Sequence, residues 1–103
     1  MNKYKAKRTL VDGIVFHSRR EANRYKDINM LLQAGLISNL RLQPRYPLMV
    51  DGKLICTYIG DFEYLDKKKG RFIVEDCKGF RTQTYRLKKA LFQALYNKEI
   101  LET

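Results

Sequence analysis

The chain has 103 residues, enough for one domain with a single modest core and too few for two. Twenty-one Lys and Arg against eleven Asp and Glu give a net charge of +10, spread from Lys3 to Lys98, so a polyanion such as nucleic acid is the economical partner and a merely solvated basic surface the bland alternative. A hydrophobic share of 45% speaks against global disorder, no run approaches the eighteen apolar residues of a membrane span, and the start MNKYKAKRTLVDG lacks the apolar core of a signal peptide, so a cytoplasmic location is expected.

In RTLVDGIVFHS, two apolar runs flank Asp12-Gly13, a dipeptide suited to turn positions that need positive φ, which predicts hairpin strands near 8–11 and 14–17. SRREANRYKDINMLLQAG then offers Ser18 as N-cap, Glu21 three residues on and Gly35 as helix stop, so a first helix spans about 19–34. Its positions 21, 25, 28 and 32 place Glu21 on one stripe with Tyr25, Ile28 and Leu32. Pro44 and Pro47 restrict LISNLRLQPRYPLMV to an edge strand or an irregular extended connection. Asp51-Gly52 marks another turn. Residues 54–65, LICTYIGDFEYL, read as one long strand with Gly60 as a bulge or close-approach point, and residues 72–78 as its partner across DKKKGR. TYRLKKALFQALYNK carries Leu87, Leu91 and Leu95 at helical spacing and gives a second helix at about 84–98. Cys56 and Cys77 lack metal-site spacing or a Cys/His companion and read as small core residues.

The charged end of IVEDCKGF (73–80) poses the functional question. If Lys67-Lys68-Lys69-Gly70 is the loop, Asp66 pairs with Arg71 and the antiparallel register brings Asp61 opposite Asp76. Like charges in that relation destabilise unless something neutralises them, and a divalent cation would. Strand alternation puts Lys78 on the face of Asp76 and turns Glu75 away, leaving Glu75 as the ligand only if the register slips. The candidate site is therefore Asp61, Asp76 and Lys78. The competing reading is an ion pair of Asp76 with Lys78 at a wet strand end. Hard oxygen ligands suit Mg2+ or Mn2+, and such an ion with a lysine beside it supports phosphodiester hydrolysis.

GDF (60–62) followed by EDCK (75–78) resembles the PD-(D/E)XK motif of the restriction-endonuclease-like nucleases, with Asp61 and Asp76 as the acids, Lys78 as the lysine, and Gly60 where the motif name has proline. Taken in order, FHSRREANRY, LRLQPRYPL, YIGDFEYL, VEDCKG and TYRLKKALF are similar to a small phage-borne family with that nuclease core, akin to junction-resolving nucleases, over about residues 8–98. The resemblance implies an α/β fold with a mixed, largely antiparallel central sheet flanked by helices, and a metal-dependent endodeoxyribonuclease acting on DNA, with branched DNA as substrate by analogy. It also implies that Glu21 on the first helix joins the metal site as a catalytic acid; the alternative is the capping-box glutamate of Ser18-Arg19-Arg20-Glu21.

Arg81, Arg86, Lys88 and Lys89 flank the site in sequence, with Lys88 and Lys89 off the Leu87/Leu91/Leu95 stripe, and read as phosphate contacts or as solvated helix charge. Tyr85 reads as a packing residue, and His17 as a local hydrogen-bonding residue. A homodimer would let two sites cut two strands. The rival function is a non-catalytic basic DNA-binding phage accessory protein, and an RNA-directed nuclease is a third reading.

Overall fold

The structure is a computed structural model that describes residues 8–77 and 80–103. It opens with the hairpin of β1 (Thr9–Val11) and β2 (Ile14–Phe16), turned through Asp12 at φ 52° and Gly13 at φ 74°. Both turn residues take the positive φ that a two-residue turn matched to strand twist requires. Helix α1 (Arg19–Gln33) begins where Ser18 Oγ accepts the Glu21 amide at 3.1 Å. It ends in a Schellman arrangement, the Gly35 amide bonding to Leu32 O and the Leu36 amide to Leu31 O, with Gly35 at φ +75°. Glu21, Ala22, Tyr25 and Ile28 form its buried side.

The residues around the two prolines form two strands, β3 (Ile37–Leu42) and β4 (Arg45–Val50), separated at Gln43-Pro44. Both lie at edges: β3 borders the main sheet, and among the described residues β4, which carries Pro47, pairs only with β5 (Lys53–Ile59) through the Asp51-Gly52 turn. The stretch 54–65 corrects the single-strand expectation. It is two strands, β5 and β6 (Phe62–Asp66), and they belong to different sheets. The chain breaks at Gly60-Asp61 because it passes against β7 there: a Cβ on Gly60 would sit 3.1 Å from Val74 Cγ1, and the Gly60 amide turns to Pro44 O at 3.0 Å.

β7 (Arg71–Asp76) pairs with β6 in the expected register, from Asp66 opposite Arg71 to Phe62 opposite Glu75, around the turn 67–70. Helix α2 (Gln83–Tyr96) starts on Thr82 and stops at Asn97 in the left-handed conformation. A last strand, β8 (Ile100–Glu102), for which the sequence offers no signal of its own, lies parallel to β7.

The protein is thus a small α/β fold whose four-stranded sheet, in the order β3-β6-β7-β8, is mixed and mostly antiparallel, with two added hairpins. Its two faces carry separate cores. Phe62, Tyr64 and Ile73 pack with Phe16, Ala22, Tyr25 and Ile28 of β2 and α1. Val74 and Ile100 pack on the other face with Tyr46, Leu48 and Tyr58 of β4 and β5 and with Tyr85 and Phe92 of α2. The α2 stripe is a second correction. Leu87 and Leu95 stand 66% and 43% exposed, and the helix buries Tyr85 and Phe92, because aromatic residues reach across to the β4–β5 hairpin. Among the described residues, no helix is long and apolar enough to cross a membrane.

Candidate functional site

The pleat of β7 sorts its two adjacent carboxylates onto opposite faces. Glu75, fully buried on the α1 face, takes both Arg24 Nε and Nη2 at 2.7 Å and the Tyr64 hydroxyl. That bidentate pairing pushes the Arg24 guanidinium further up from its ordinary pKa. Burial first, and then the Glu75 carboxylate, raise the Tyr64 phenol, so its proton stays in place to be donated. Glu75 is a structural anion.

Asp76, 2% exposed, faces the opposite way. Its Oδ2 accepts the Tyr58 hydroxyl at 2.5 Å, and its carbonyl accepts the Thr103 amide at 3.0 Å. Burial, followed by the Asp76 bond and with a smaller contribution from Asp61, raises the Tyr58 phenol. Asp61 lies one step beyond the last β6–β7 pair. Its amide donates to Glu75 O at 2.9 Å, and its Oδ2 receives the Cys77 amide at 2.6 Å. The backbone therefore clamps Asp61 against the end of β7, beside Asp76. Lys78, the third sequence candidate, lies outside the described residues.

Glu21 approaches this sheet end from α1. It is 4% exposed, and its Oε1 has no hydrogen-bond partner among the described residues. Burial drives its carboxyl pKa up; His17 and Gln43 oppose that shift, and the Asp76 charge adds to it. The Ser18 half of the capping box is formed, yet capping leaves one buried carboxylate oxygen unexplained. His17 is exposed and faces Glu21. Cys77 sits close to these acids, but burial pushes its thiol up to about 11, so it carries no nucleophilic thiolate at neutral pH.

The donor chemistry is of the kind a magnesium-type ion takes: hard carboxylate oxygens, one of them buried without a hydrogen-bond partner among the described residues. Among the described residues no three Asp, Glu, His or Cys side chains converge into a ready-made cage. Magnesium needs only one or two carboxylates when water and substrate phosphate complete the shell. Asp61 and Asp76 would hold it, with Glu21 behind them.

The flanking cations are mostly engaged within the fold. Arg81 and Lys89 both pair with Glu102, at 2.8 and 3.3 Å, and Lys88 donates to Thr57 O at 3.3 Å. Arg81 above all, and then Tyr85, hold the Glu102 carboxyl down at about 2. Arg86 is exposed, and Tyr85 packs as expected while its hydroxyl donates to Glu102 at 2.8 Å. Sequence reasoning missed the phenols. Tyr25, Tyr46, Tyr58, Tyr64 and Tyr85 donate to Asp12, Glu63, Asp76, Glu75 and Glu102 in turn. Seven Tyr beside five Phe, with no Trp, was the available signal. Glu63 was missed too, a buried carboxylate held by Tyr46, Arg41 and Lys98.

The chain belongs to the DUF1064 family, described as a protein of unknown function, whose profile matches residues 1–102. No curated protein and no solved structure gives a match.

Proposed function

We propose that this chain is a metal-dependent endodeoxyribonuclease with a restriction-endonuclease-like core. The observation that supports it most is the clamp of Asp61 at the sheet end that carries Asp76, with a buried Glu21 oxygen that has no hydrogen-bond partner among the described residues. The GDF and EDCK strings supply the same two acids, with Lys78 at the lysine position of the resembled motif. A bound Mg2+ or Mn2+ would acidify its water and neutralise charge on the phosphate. Asp61 and Asp76 would bind it, Tyr58 would hold the Asp76 carboxylate in place, and Lys78 would orient water or steady the charge that develops on phosphate. The net charge of +10 supports DNA as partner, and a branched substrate inside a phage-infected bacterial host extends the same reading.

A second reading, a basic DNA-binding accessory protein, draws on a specific observation as well. Asp76 already has a phenol and Asp61 an amide, so both acids have structural work to do. The deciding experiment incubates the protein with linear, nicked, flapped and four-way DNA, and with RNA, in Mg2+ or Mn2+ with a chelator control. The nuclease reading expects metal-dependent cleavage that Asp76→Asn and Lys78→Met abolish while DNA binding persists. Binding to DNA with no cleavage of any substrate in either metal assigns the accessory role.

A further inference from the structure

Four cations with no ion pair among the described residues stand together at the other end of the sheet. Lys67, Lys68 and Lys69 fill the β6–β7 turn and Arg71 opens β7; all four are exposed. None of them takes part in an ion pair among the described residues. The turn is fixed by its backbone. The Gly70 amide bonds to Asp66 O at 2.8 Å, the Lys69 amide to Asp66 Oδ1 at 3.0 Å and the Lys67 amide to Leu36 O at 3.2 Å, while Gly70 supplies φ +67°. Asp66, the nearest acid in sequence, thus gives its carbonyl oxygen and Oδ1 to amides of the turn, and the lysine side chains project from a hydrogen-bonded support.

Beside this turn, between the start of β7 and the segment joining α2 to β8, lies a cleft of about 340 Å3 lined by Arg71, Phe72, Ile73, Asn97, Lys98 and Glu99. Phe72 is 39% exposed. Lys98 Nζ lies 5.5 Å from its ring centroid, 6.0 Å from that of Tyr46 and 3.8 Å from Glu63 Oε1. Two cations, an amide side chain and an exposed aromatic ring around a space at the small end of ligand sites suit one unpaired nucleotide, its base against Phe72 and its phosphate between Arg71 and Lys98. Glu99 is the one acid in the lining, and it suits the amino edge of a base.

We propose that the Lys67–Arg71 turn and this cleft form a second nucleic-acid contact, which grips the sugar-phosphate backbone and takes one unpaired base. Arg71 and Asp76 stand at the two ends of β7, about five residue steps or 17 Å apart at the rise of a strand, roughly five nucleotides of duplex length. That spacing rests on the nuclease reading, and the binding itself does not. A strand cut at the acids would then be held about five nucleotides away, where an unpaired segment is preferred over continuous duplex.

Fluorescence anisotropy with labelled single-stranded and duplex 20-mers, in chelator and over a salt series, tests this. The triple variant Lys67→Gln/Lys68→Gln/Lys69→Gln is compared with Arg20→Gln/Lys26→Gln/Lys53→Gln, which removes equal charge from exposed positions elsewhere. Three lost phosphate contacts on a single strand should lower the salt slope by about two and the affinity at 0.1 M salt roughly a hundredfold, against a few-fold in the control. Phe72→Leu keeps an apolar strand residue and should lower the preference for single strand over duplex about tenfold. Equal losses in the two triple variants, or no nucleic-acid binding by the wild type, would overturn the turn as a contact. An unchanged preference in Phe72→Leu would remove the base from the cleft. A protein that cleaves nothing yet loses binding in the turn variant keeps this inference and drops the nuclease; cleavage with unchanged binding in the turn variant does the reverse.

Discussion

Arg24→Met isolates the buried carboxylate of Glu75. The wild-type anion is fully buried and compensated by two charge-assisted bonds of 2.7 Å from one guanidinium and by a single phenol. Removing the guanidinium leaves the phenol as the sole donor to a charge out of reach of water. Breaking a buried pair from one side costs about 3–5 kcal/mol, against a total stability of roughly 5–15 kcal/mol for a domain. Glu75→Gln should cost less, because Arg24 retains 26% of its side-chain exposure and can turn to solvent. The triple variant Arg24→Met/Tyr64→Phe/Glu75→Leu removes every member of the network and should return to within about 1 kcal/mol of wild type or exceed it, since apolar replacement of a buried ion pair is often neutral or stabilising. Urea denaturation followed by circular dichroism, with the m value unchanged, measures all three. A cost below about 1 kcal/mol for Arg24→Met would refute the assignment of Glu75 as a structural anion, as would a triple variant no more stable than the single one.

Three further outcomes test other parts of the molecule. Glu21→Gln should raise Tm at pH 7 in chelator, with the gain shrinking toward pH 4: the folded carboxyl pKa is raised, so its penalty is full above that value and vanishes as acid protonates it in both states. Gly60→Ala should destabilise the fold by about 1–3 kcal/mol, because Val74 must yield to a Cβ at 3.1 Å, and under the nuclease reading it should also weaken metal binding by shifting Asp61; urea melts and metal titration read the two effects. Phe92→Ala should cost about 3–5 kcal/mol and Leu87→Ser no more than about 0.5 kcal/mol in the same melts, the reverse of what a buried Leu87 stripe predicts.

Elements whose signals are local were legible. The Asp-Gly turns, the Ser18 cap and the Gly35 stop are set by φ preference and capping chemistry within a few residues, and each stands where the sequence placed it. The β6–β7 register was legible because a four-residue turn fixes the pairing of every later residue. What stayed hidden depends on distant partners. No local rule separates one strand of twelve residues from two strands in different sheets until Val74 is known to press on Gly60. In α2 both the Leu87/Leu91/Leu95 line and the Tyr85/Phe92 line have helical spacing, and only the hairpin across from the helix selects the second. β8 is three residues long and owes its place to pairing with β7.

The two neighbouring acids of β7 show how register becomes chemistry. Once Asp66 is set against Arg71, alternation decides that Glu75 meets α1 and Asp76 meets β5, so a one-residue slip would exchange their surroundings. Arg24 could not then reach the carboxylate it neutralises, and Tyr58 would lose its acceptor, which makes the slipped pairing costly on both faces at once. The buried tyrosines and the arginine therefore specify the register as well as satisfy the charges. That same register delivers Asp61 to the end of β7 that carries Asp76. A fold that spends Arg24 and Tyr64 on fixing this alignment, and buries Glu21 with one oxygen that has no hydrogen-bond partner among the described residues, gathers acids at this sheet end within a protein of net charge +10. In a chain so basic, a polyanion drawn to this sheet end would meet repulsion from these acids, and under the nuclease reading a divalent ion would turn that point into an attractive one.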